Sequence, residues 1–239
     1  SPAPRCLKLE LPPDWRCQRG AELHDALRQA QVESLVVSMA ESGDLVPDAV
    51  CDGIVEMLRS GLHELQVFSP LASPLKVAQA MPHSELRRLS FMAPRGIASD
   101  TTAWRSYEIL LAGTKGAEQL RVLDFDFSPS EYLALSPVLW DRLTDGLSGL
   151  TRIGVSTSFV TGDGLAHRNE AMRTFVGALL RQKSPMAVDL RHCLVDVETL
   201  QELKAMLSTN LALEVLLPAG EEGHPVRTTS DTGTSVSTT

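Results

Sequence analysis

The chain has 239 residues, 43% hydrophobic but only 5% aromatic, so a sizeable core is available and Leu, Val and Ala must fill it. A formal net charge of −8 and a sequence pI near 5.3 argue against nucleic acid as a partner, because such proteins carry a clustered basic face. No apolar run reaches the roughly 18 residues needed to cross a bilayer and no signal-peptide pattern opens the chain, so a soluble protein with no membrane partner is expected.

Two biases carry information about source rather than mechanism. Arg (17) far exceeds Lys (5), and Asn occurs only at Asn169 and Asn210, which suggests a GC-rich genome. The chain opens at Ser1 rather than Met, giving the expectation of a fragment or a processed product. Cys6, Cys17, Cys51 and Cys193 are far apart and form no C-x-x-C, so buried free thiols are expected rather than a disulfide framework.

Residues 1–31 read as an N-terminal capping segment. Leu7, Leu9 and Leu11 alternate with Lys8 and Glu10, the period of a short strand, and Pro12-Pro13 ends it. Leu23, Ala26, Leu27 and Ala30 then share one helical face.

Residues 32–218 repeat one phrase. Two apolar residues three apart are followed by alternation, as in Leu62-His63-Glu64-Leu65-Gln66-Val67 and Leu120-Arg121-Val122-Leu123-Asp124-Phe125. Aligned on the second apolar position, the phrase falls at 35, 65, 89, 123, 153, 188 and 215. The gaps are 30, 24, 34, 30, 35 and 27 residues, averaging 30, the spacing of a stack of supersecondary units. Helical patterns occupy 46–60, 102–115, 130–147, 170–182 and 197–207 between these strands. Residues 219–239 are rich in Ser, Thr and Gly with few apolar residues, and read as a disordered tail.

Patterns that could carry chemistry are few. Asp124 and Asp126 lie two apart on one strand face, but no His or nucleophile motif frames them, so a solvated binding face is preferred to a catalytic pair. His192 and Cys193 are adjacent, which on a strand sends them to opposite faces. Cys51 reads as core. Thr161-Gly162-Asp163-Gly164 lacks the Lys and Thr of a phosphate loop and reads as a turn. No catalytic residue, metal ligand or cofactor is assigned.

The recurring L-x-x-L-x-L phrase with helical returns resembles the leucine-rich repeat family, nearest to its long, ribonuclease-inhibitor-like repeats, over about Leu7 to Leu217. That family places Asn or Cys three residues after the last strand leucine. Here the positions are Ala40, Pro70, Pro94, Ser128, Ser158 and Cys193, and only Cys193 matches, so a divergent member with irregular curvature is implied. Together with the Arg bias and the missing start, the pattern resembles the repeat domain of a bacterial secreted effector.

The resemblance implies an α/β solenoid with a parallel concave sheet and helices on the convex side. Eight strands about 4.8 Å apart span roughly 35–40 Å, enough to recognise a protein rather than a small metabolite. Its implied function is non-enzymatic recognition of a partner protein, as the substrate-selecting part of a larger secreted protein. A small α/β hydrolase or transferase, or a structural spacer, are the alternatives. Strand order separates them, because an enzyme on a parallel sheet needs a topological switch point. Alternation puts Phe68, Arg88, Met92, Asp124, Asp126, Arg152, Asp189 and Arg191 outward as the expected partner-binding residues.

Overall fold

A computed structural model describes residues 6–12, 20–29, 32–40, 44–92, 101–126, 149–156, 164–181, 183–192 and 196–216. Cys17, Cys193, the helix expected over 130–147, the turn over 161–163 and the tail over 219–239 lie outside the described residues.

Among the described residues strand and helix alternate, except that the strands Val122–Asp126 and Arg152–Ser156 are joined through residues 127–148, which lie outside the described residues. The order is β1 (Cys6–Leu11), α1 (Gly20–Gln29), β2 (Ser34–Met39), α2 (Asp48–Arg59), β3 (Glu64–Val67) and α3 (Pro74–Ala80), which runs into a 3-10 turn at Met81–His83. Then follow β4 (Arg88–Met92), α4 (Thr101–Thr114), β5 (Val122–Asp126), β6 (Arg152–Ser156), α5 (Gly164–Leu179), β7 (Met186–His192), α6 (Val197–Ser208) and β8 (Leu213–Leu216).

Among the described residues eight strands form one all-parallel sheet in the order β1 to β8, each beside its predecessor and with no reversal of order. Register follows the repeated phrase. Leu7 pairs with Leu35, and the row continues through Leu65, Leu89, Leu123, Ile153 and Val188 to Val215. From Leu35 to Val188 every member of this row is fully buried, whereas Leu7 and Val215 at the two ends are partly exposed. One apolar cluster joins the row to the buried faces of the helices, including Ile54, Leu58, Leu110, Phe175, Val176, Leu203 and Leu207. Each fully buried Leu, if cut to Ala, costs about 2–5 kcal/mol, so the row alone fixes which face of each strand turns inward.

The helices follow local chemistry. In α2 the buried residues Val50, Cys51, Ile54, Val55, Met57 and Leu58 make an inward stripe. Asp48 in its first turn and Arg59 in its last complement the helix dipole. The sequence pattern placed the start at Val46. Val46 instead makes an isolated parallel bridge with Leu71, and Pro47 sits at the N-cap, so the helix begins at Asp48. In the penultimate described unit, α5 begins at Gly164 rather than at Glu170.

One helix escaped the sequence reading. The spacing of 24 residues, the shortest in the series, still holds α3, with Pro74 at its first position and Val77, Ala78 and Ala80 buried. Seven residues are too few to display a 3.6-residue period. Helix α4 packs closely on it: a Cβ at Gly113 would lie 2.7 Å from the Ala78 Cα and 2.8 Å from its Cβ and carbonyl oxygen.

Two buried serine hydroxyls accept backbone N–H groups at or beyond the strand ends. The buried Ser69 hydroxyl accepts from the Met39 N–H at 3.0 Å, and the buried Ser106 hydroxyl accepts from the Leu71 N–H at 3.0 Å. The two asparagines act further along. Asn210 donates to the Leu180 carbonyl at 3.1 Å, and Asn169 donates to Asp196, which also caps α6 by accepting from the Thr199 N–H at 2.6 Å. Among the described residues no helix is long and apolar enough to cross a membrane.

Candidate functional site

The register that buries the leucine row aligns the outward residues into rows of their own. One row runs Ser34, Glu64, Arg88, Val122, Arg152, Ala187 and Glu214. The next runs Val36, Gln66, Ser90, Asp124, Gly154, Asp189 and Leu216. The rows lie two residues apart along each strand, so an Arg in the first row reaches diagonally to an Asp of the second on the following strand.

Two such diagonals form. Arg88 on β4 donates to Asp124 Oδ2 on β5 through Nε at 3.1 Å and Nη2 at 2.8 Å, and Ser90 donates to the same oxygen at 3.4 Å. Arg152 on β6 donates through Nη2 to Asp189 Oδ2 on β7 at 2.5 Å. Asp189 is also gripped by Arg191, through its backbone N–H at 3.1 Å, its Nε at 2.9 Å and its Nη2 at 2.7 Å. Gly154 separates the two clusters. A Cβ there would sit 2.3 Å from Asp124 Oδ1, so the carboxylate lies over the glycine backbone.

Alternation gave the face of each side chain but not its depth. Asp124, expected to be exposed, keeps only 22% of its side-chain surface, because Arg88 and Ser90 cover one side of the carboxylate. Asp189, named as a partner-binding residue, keeps 3% and lies under Arg152 and Arg191, which keep 36% and 46%. It therefore lies beneath the two arginines and is not presented to solvent. Ser34 and Ser90 are buried as well. The Arg191 guanidinium holds the Asp189 carboxyl down at about 2, well below the usual carboxylate value, and Arg152 adds to this.

The remaining expected residues are placed by backbone. Phe68 follows the end of β3 and is half-buried, with its N–H donating to the Val37 carbonyl at 2.9 Å. Met92 and Asp126 are register partners at the ends of β4 and β5. At β7 the regular step fails. Gly154 pairs with Asp189 but Ser156 pairs with His192, so an irregularity adds a residue to β7 where strict alternation put Arg191 in the last outward row.

The helical side carries one cleft that the sequence reading missed. It lies between α2 and α3, has a volume of about 370 Å³, and is lined by Asp52, Val55, Glu56, Arg59, Lys76, Gln79, Ala80 and His83. Lys76 spans its rim, donating to Asp52 at 2.8 Å and to Asp48 at 2.9 Å. Its lining charges pair with one another, Lys76 with Asp52 and Arg59 with Glu56.

Cys51 is core: it is buried, its thiol lies 3.7 Å from the Val46 carbonyl, and burial pushes its pKa up, the opposite of an activated nucleophile. Cys6, by contrast, is exposed, against the expectation that all four thiols are buried; it opens β1, which has one neighbour among the described strands. Among the described residues no group of three His, Cys, Asp or Glu is placed to hold a metal ion. Comparison of the chain with protein-family models and with curated proteins returns no match.

Proposed function

We propose that the chain is a non-enzymatic protein-interaction module, a leucine-rich-repeat-type solenoid that recognises a partner protein on the outward face of its sheet. The observation that carries this is the strand order, β1 to β8 in sequence, with outward residues in continuous in-register rows. An open row of strands makes a long face and offers no crevice of the kind formed where strand order reverses. Supporting it, the centre of the face mixes Arg with carboxylates that fix its geometry, and pinned Arg is favoured at interfaces because less freedom is lost on binding. The further expectation of a recognition part serving a larger secreted protein rests on the repeat resemblance alone.

The alternative of an α/β enzyme is disfavoured by the raised Cys51 pKa and by the engagement of Asp189 with two arginines. A spacer would have no selective face. A photo-crosslinking amino acid at position 66 or 68 on the sheet face, and at 59 or 79 on the helices, tests the reading in lysate of the host from which a partner is sought. Discrete adducts from the sheet positions alone are expected. Adducts only from the helical positions would place recognition on the wrong face, and turnover of a substrate lost with Asp124→Asn would replace the module by an enzyme.

A further inference from the structure

We propose that Arg152 is an exchangeable arm: it leaves Asp189 to take a carboxylate of an acidic segment of the partner protein. This rests on the interaction-module reading above and names the chemistry of the partner.

Asp189 has donors to spare, and Arg152 Nε lacks an acceptor. Arg191 alone serves both Asp189 oxygens, with Nε and the backbone N–H on Oδ1 and Nη2 on Oδ2. Arg152 adds a single bond, from Nη2 to the oxygen that Arg191 Nη2 already occupies. Arg152 Nε meanwhile is buried with no acceptor. A buried donor without a partner is costly, and here the cost is carried by a cationic group. Asp189 can therefore release Arg152 and stay satisfied, while Arg152 at Asp189 is not. Arg88 differs: both its Nε and Nη2 engage Asp124, which among the described residues has no second guanidinium.

An incoming carboxylate removes the mismatch. It accepts from two donors of the guanidinium edge at once, the arrangement in which Arg–carboxylate pairs are strongest. The neighbourhood leaves room for it. Arg152 is flanked in its row by the short Val122 and Ala187. The cluster also presents one sign of charge, since Asp189 is 3% exposed beneath Arg152 at 36% and Arg191 at 46%. On a chain of net charge −8, a local cationic outlet selects an acidic segment and turns away basic ones.

The test follows the arginine Nε–Hε signals of the full ¹⁵N-labelled chain, with Arg152 identified by the signal lost in Arg152→Gln. The probes are a capped peptide of Glu-Ala repeats and its Lys-Ala counterpart at matched ionic strength. The acidic peptide should move the Arg152 signal saturably and leave Arg191 nearly still. Arg152→Gln should weaken that peptide roughly tenfold, the worth of one charge-assisted pair, with the urea midpoint retained because Arg191 still satisfies Asp189. Arg59→Gln, on the helical side, should change nothing. An unmoved Arg152 signal, equal movement with the Lys peptide or with sodium chloride, or equal affinity of the Arg152→Gln variant overturns the arm. If the Lys peptide binds and is lost in Asp124→Asn, the arm fails while the sheet face remains the recognition face. If the crosslinks also come from the helices alone, the module reading fails with it.

Discussion

At the scale of single residues, the sheet face is organised by who covers whose charge. Alternation along each strand named Arg88, Asp124, Arg152, Asp189 and Arg191 as outward. It could not show that they pair diagonally across strands, since each cross-strand partner lies 36 or 37 residues away and the pairing needs the register. Two predictions follow the pairing. Gly154→Ala drives a methyl into Asp124, whose carboxylate is tied to Arg88 and Ser90 and has little room to retreat. Urea titration should show a loss of about 1–3 kcal/mol, shrinking when Asp124 is also made Ala. Asp189 gives a pH dependence. Its pKa falls from an ordinary 3.8 to about 2 on folding, so its contribution is fully present above about pH 4 and is lost as pH drops towards 2. The shift corresponds to about 2 kcal/mol. Urea midpoints from pH 5 down to pH 2 should fall more steeply for the natural chain than for Asp189→Asn, and equal slopes would contradict the pairing of buried Asp189 with the arginines above it.

At the scale of elements, strand positions were legible and helix lengths were not. A strand here is announced by an apolar pair and two alternating residues; the phrase recurs seven times, for β2 to β8, while β1 shows the alternation alone. Helix α3 gives no such notice: its inward residues are Val77, Ala78 and Ala80, small enough to pass for a loop. The smallness has a reason, because α4 comes against α3 backbone to backbone at Gly113. Two glycine substitutions in helices should therefore differ in sign. Gly113→Ala places its Cβ under 3 Å from Ala78 backbone atoms, which cannot swing aside, and should lower Tm through about 1–3 kcal/mol of strain. Gly177→Ala, in α5, meets nothing within 4 Å and should raise Tm by the helix-propensity gain of up to about 1 kcal/mol. Calorimetry on the two variants checks the pair. A stable Gly113→Ala would mean that the helices stand further apart than described.

At the scale of the whole molecule, the consecutive strand order makes stability a neighbour-to-neighbour property. The principal packing runs between successive elements, β1 on β2 through to β7 on β8, and α1 on α2, α2 on α3, α3 on α4 and α5 on α6. In this order each interior strand lies between two described strands, whereas β1 and β8 each have one described neighbour. The leucine row records the difference directly. Leu35, Leu65, Leu89, Leu123, Ile153 and Val188 are sealed at 0% exposure, while Leu7 and Val215 are partly open and Leu211, just before β8, is 99% exposed. Opening an end unit uncovers one interface, whereas opening an interior one uncovers two. Native-state hydrogen exchange should therefore give a gradient: the amides of Leu65, Leu89 and Leu123 exchange slowest, and those of Leu9 and Val215 faster by a factor set by one lost interface. Burying an apolar interface between neighbours is worth several kcal/mol, so the protection factors should differ by roughly a hundredfold or more. Leu65→Ala should lower protection in β2, β3 and β4 and leave β7 nearly unchanged. Uniform protection from β1 to β8, or a Leu65→Ala effect equally strong in β7, would show that the sheet opens as one cooperative block.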